Sequence, residues 1–80
     1  MKVVIDAEWH SEDGGGWTAA TQDDNPWTHH IVTEGRDLEH LRARLTKLIT
    51  EFHERGEADG VVFELVIRDL GAPKEMLAAE

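Results

Sequence analysis

Leu38, Leu41, Leu45, Leu48, Ile49 and Phe52 recur at steps of three and four residues. That spacing gathers them on one stripe and predicts an amphipathic helix over residues 37–55. Asp37 is placed to accept the orphan amide hydrogens of its first turn, and Gly56 to supply the left-handed stop at its end. At 1.5 Å per residue the helix spans about 28 Å, enough to cross a sheet of three or four strands.

Elsewhere the period is two. Val3, Ile5, Ala7 and Trp9 alternate with Lys2, Val4, Asp6, Glu8 and His10, the pattern of a strand with one buried face. Ser11 to Gly16 supplies turn chemistry and Trp17 to Thr21 returns, which predicts a β-hairpin with Trp9 and Trp17 facing each other across it. A polar loop, Thr21 to Pro26, leads to a third strand predicted from Trp27 to Thr33, broken by Gly35-Arg36-Asp37. After the helix, Val61 to Arg68 is the strongest strand signal; Val61, Phe63, Leu65 and Ile67 would face the helix. Val62 and Val66 fall on the opposite face beside Glu64, so this second face is partly apolar and suits another copy of the chain. Pro73 suits the first turn of a short closing helix, Lys74 to Ala79. The expected fold is a single α+β domain of order β-β-β-α-β over residues 1–80, with a core at 1–68, a tail at 69–80, an antiparallel-rich sheet and one helix on one face.

Eighty residues bury only roughly 60–65% of the surface that the unfolded chain exposes. Cysteine is absent, which removes disulfides, thiolate metal sites and thiol nucleophiles, and fits a reducing, cytoplasmic home. Self-association into a dimer or larger oligomer is therefore expected to add stability. The first six residues reach an acid and hold no long apolar run, so neither a signal peptide nor a membrane span is expected.

The formal charge of −9 divides unevenly: net −6 over residues 1–35, +1 over 36–56 and −4 over 57–80. Such a surface repels phosphate backbones and argues against direct nucleic-acid binding, although Arg36, Arg42, Arg44 and Lys47 could form a local basic strip. A basic protein partner fits better, with simple solubility as the bland alternative.

Catalytic constellations are weak. His29 and His30 are strand neighbours and would point to opposite faces. Glu8 and His10 share a face, and His30 joins them as a metal trio only if the third strand pairs suitably; residues lining a solvated sheet surface are the preferred reading. Asp6 resembles a nuclease carboxylate, but Glu39, Glu51 and Glu54 lie on the outward side or ends of the helix, so a two-metal cluster does not close. Ser11, the only serine, lies in an acidic turn with no base at a defined spacing. Gly14-Gly15-Gly16 precedes a strand, which makes it a poor phosphate cradle. No enzyme activity, cofactor or metal is expected.

Asp13-Gly14-Gly15-Gly16-Trp17-Thr18-Ala19, followed by Thr33-Glu34-Gly35-Arg36-Asp37-Leu38-Glu39 opening the helix, resembles the HicB-type antitoxin domain over roughly residues 1–68. The resemblance implies a truncated RNase H-like sheet with a helix and no nuclease activity. It further implies an oligomeric antitoxin of a toxin-antitoxin system that neutralises a small basic mRNA-cleaving toxin. The expected partner-binding residues are Glu8, Glu12, Asp13, Trp17, Asp23, Asp24 and Trp27, although core or oligomer packing is the preferred reading of Trp9, Trp17 and Trp27; the expected oligomer face is Val62, Glu64 and Val66. No DNA-binding unit is expected after residue 68. The different-class alternative is a stand-alone homo-oligomeric protein of structural or unknown role; a divalent-metal enzyme ranks third.

Overall fold

In the computed structural model, residues 1–68 and 75–78 are described; the Asp13 side chain and those of 75–78 are not. Five strands form one mixed sheet: β1 (Lys2–His10), β2 (Gly16–Thr21), β3 (Val32–Gly35), β4 (Val62–Ile67) and β5 (Glu75–Ala78), in the order β3-β2-β1-β4-β5. The helix α1 (Leu38–Glu54) links β3 to β4. The α+β class is as expected, as is the order β-β-β-α-β over residues 1–68, to which β5 adds a fifth strand.

β1 pairs antiparallel with β2, placing Trp9 opposite Trp17, and parallel with β4, placing Ile5 opposite Leu65. In this central strand Val3, Ile5 and Ala7 face the helix side and are fully buried in the core there. Leu41, Leu45 and Ile49 of α1 lie in the same core as Phe63, Leu65 and Ile67, with Leu38, Leu48 and Phe52 packed against it. The helix ends as its sequence predicts. Asp37 Oδ1 accepts from the His40 amide at 2.8 Å. At the other end the amides of Gly56 and Glu57 donate to the carbonyls of His53 and Phe52, with Gly56 at φ 75°, a Schellman stop.

Two expectations are corrected. The third strand does not run from Trp27 to Thr33; residues 22–31 are irregular and β3 begins at Val32. Side chains take over the ladder there. Asn25 Oδ1 accepts from the Val4 amide at 3.1 Å, and its Nδ2 donates to the Val4 and Gln22 carbonyls at 3.0 Å each. On the other side of β2, the Thr21 hydroxyl accepts from the Ile31 amide. The segment thereby turns Trp27 inward, where its indole Nε1 donates to the Glu57 carbonyl and its ring meets Phe52 and Phe63 edge-on. The closing helix Lys74 to Ala79 is likewise replaced over 75–78 by β5, antiparallel to β4. A helix of six residues is too short to repay its nucleation, whereas the outer edge of β4 offers unpaired backbone groups. Pro73, Lys74 and Ala79 lie outside the described residues.

Candidate functional site: the open face of the sheet

The helix covers one face of the sheet only, and strand alternation sends a second set of side chains to the other. The β1–β2–β3 register lines up Asp6, Ala20 and Val32 in one row and Glu8, Thr18 and Glu34 in the next. On the other side of β1, Lys2, Val4 and Asp6 sit beside Val62, Glu64 and Val66.

The valines expected on this face are there: Val62 and Val66 are half-buried by their neighbours, and Val32 is 77% exposed at the edge. Glu64 is buried, its carboxylate 2.8 Å from the Lys2 ammonium. Asp6 is held from two sides, by Arg68 at 3.0 Å and by the Gln22 side-chain amide at 3.0 Å. With Glu8, Asp23 and Asp24 it lines a shallow depression beside Thr18 and Thr21. Glu8, Asp23 and Asp24 are exposed, as is Glu12 in the turn. The geometry thus brings Glu8, Asp23 and Asp24 to one rim, with Glu12 at the far end of the hairpin.

The tryptophans belong elsewhere. Trp17 and Trp27 are 7% and 6% exposed, so both rings sit in the core and not on an outward rim. Trp9, half-exposed, meets Trp17 edge-on at 5.6 Å and lies over Gly15, where a Cβ would come within 2.7 Å of the indole. The glycine in that turn makes room for a ring, and its φ of 87° suits no other residue as well.

The metal and nuclease constellations are not assembled. His10 is bonded to the Thr18 hydroxyl at 2.8 Å and His30 faces Thr21, three residues further along β2. Among the described residues no three His, Asp or Glu side chains stand close enough to share a metal ion. Asp6 and the helix acids Glu39, Glu51 and Glu54 lie on opposite sides of the sheet.

Sequence reasoning named Arg36 and Arg44 in a basic strip but missed that His40 and His10 join them on the lining of one depression beside the glycine turn. The four-residue spacing of 36, 40 and 44 was the available signal. No helix among the described residues is long and apolar enough to cross a membrane. No protein-family model, curated protein or solved structure matches the chain.

Proposed function

We propose that the chain is an antitoxin-like binding module that neutralises a basic protein, such as an mRNA-cleaving toxin, through the acidic rim of its open sheet face. The observation that carries this is the convergence of Glu8, Asp23 and Asp24 on one depression that also holds half-buried Ala20 and Asp6, with half-buried Val66 next to Asp6 on β4. A cationic partner gains charge complementarity around an apolar patch there, the usual division between rim and centre. The element order that the HicB resemblance implies gives further support.

Electrostatic steering makes the prediction sharp. The screening length falls from about 10 Å at 0.1 M salt to about 3 Å at 1 M, so rim contacts fade while buried apolar contacts persist. In surface plasmon resonance against a co-encoded basic protein, the association rate falls between these salt concentrations. It falls again when Glu8, Asp23 and Asp24 are changed to Gln, Asn and Asn. An association rate indifferent to both leaves the second reading ahead: a homo-oligomer joined through Val62, Glu64 and Val66. Half-buried valines interleaved with the Lys2–Glu64 and Asp6–Arg68 pairs favour it, and light scattering at micromolar concentration reads it directly.

A further inference from the structure

His40 carries an unsolved hydrogen-bonding problem. Its Nδ1 faces the backbone N–H of Arg36 at 3.1 Å and its Nε2 faces the Nε–H of Arg44 at 3.2 Å. Both neighbours can only donate. A neutral imidazole offers one lone pair and one N–H, and a protonated one offers no lone pair at all. One of the two contacts therefore sets hydrogen against hydrogen, and the cluster holds more donors than acceptors.

The guanidiniums add to the surplus. Arg36 and Arg44 are exposed, and neither makes an ion pair with a described residue, in a chain of net charge −9. Together with His10 they line a depression of about 490 Å³ between the first hairpin and the start of α1, within the roughly 300–1,000 Å³ of small-molecule sites. Glu12 and Glu34 stand on the same lining and offset the two guanidinium charges, so an anion is held there by directed hydrogen bonds more than by net charge, which disfavours a polyanion such as a nucleic-acid backbone.

We propose that this pocket binds the phosphate group of a small molecule. Three phosphate oxygens match two guanidinium forks and an imidazole N–H better than the two oxygens of a carboxylate do. With Arg44 turned onto the anion, His40 keeps its lone pair for the Arg36 amide and points its remaining N–H at the ligand, which removes the donor–donor contact. The site adjoins the acidic rim, with Thr18 on the lining of both, but shares none of the rim acids Glu8, Asp23 and Asp24 and does not depend on the proposed partner.

The test is a titration of the full chain with inorganic phosphate and, separately, with adenosine 5′-monophosphate. It is followed by NMR at the His40 ring nitrogens and the Arg44 Nε–H, with chloride holding ionic strength constant. Saturable shifts at both side chains are expected from both probes. Equal affinities mean that the phosphate alone is read; tighter nucleotide binding means that the base adds contacts. Since charge-assisted hydrogen bonds contribute about 1.5–3 kcal/mol, Arg44→Gln should weaken binding by about tenfold or more. Glu34→Gln, also an exposed position, should tighten it by removing a like charge. Shifts that rise linearly without saturation, that survive unchanged in Arg44→Gln, or that come from the nucleotide but not from phosphate overturn the proposal.

Discussion

On the helix side of β1, Val3, Ile5 and Ala7 have no accessible surface. One step along, Lys2, Asp6 and Glu8 look the other way: two are held by ion pairs across the sheet and the third is exposed. The same nine-residue strand thus serves two faces with different physics. The covered face is stabilised by apolar area withdrawn from water, and each atom there has close neighbours. The open face holds charges, most of them screened by solvent, and exposed pairs contribute about 0–1 kcal/mol each; Glu64, buried beside Lys2, is the exception on that face. Stability should therefore be concentrated on one face, leaving the other free to carry recognition.

The largest expected effect breaks the covered face at its centre. Leu45 is fully buried midway along α1. Leu45→Ala should cost about 2–5 kcal/mol, the transfer loss plus the cavity left behind. That is a large share of a total of about 4–12 kcal/mol for a domain of this size. Denaturant unfolding measures it, and a loss below about 0.5 kcal/mol would mean that the stripe does not hold the helix to the sheet.

A smaller effect tests how closely that face is packed. Gly35 ends β3 under the first turn of the helix, where an added Cβ would lie 2.6 Å from the Leu41 amide nitrogen and 2.8 Å from its Cα. Backbone cannot swing aside as a side chain can. Gly35→Ala should therefore cost about 1–3 kcal/mol through overpacking, although alanine is normally the better strand residue. A stabilised variant would show that the helix start can lift away from β3.

The covered face was also the legible one. Period and capping residues sufficed for α1, β1, β2 and β4, because burial against a single partner surface imposes a strict spacing on the apolar residues. The segment 22–31 was misread for a physical reason: Trp27 and Ile31 look like strand residues, yet they are buried by a loop whose shape is set by the Asn25 and Thr21 side chains. Hydrogen bonds from side chain to backbone leave no period to detect. β5 was equally hidden, since what makes it a strand is the edge of β4, a partner distant in sequence. Of the candidate site, the acids Glu8, Asp23 and Asp24 were named from sequence, but only the β1–β2 register brings Glu8 beside the 23–24 turn. Trp17 and Trp27 were legible as packing residues, and their burial bears out that preferred reading against a place on the rim.

The smallest effect sharpens the comparison from the open side. Asp23 and Asp24 are exposed turn residues without an ion pair to a described residue, and turn positions accept Asn readily. The double change Asp23→Asn, Asp24→Asn should alter unfolding free energy by no more than about 0.5 kcal/mol at moderate salt, as surface substitutions generally do. Its sign at low salt carries the information. Four carboxylates face one depression in a chain of net charge −9, so removing two relieves repulsion that screening would otherwise have to suppress. The double variant should melt slightly higher than the parent at low ionic strength, and the difference should vanish as salt approaches 1 M. A melting temperature that falls at low salt would mean that these acids support the fold, and would undo the separation of stability from recognition between the two faces.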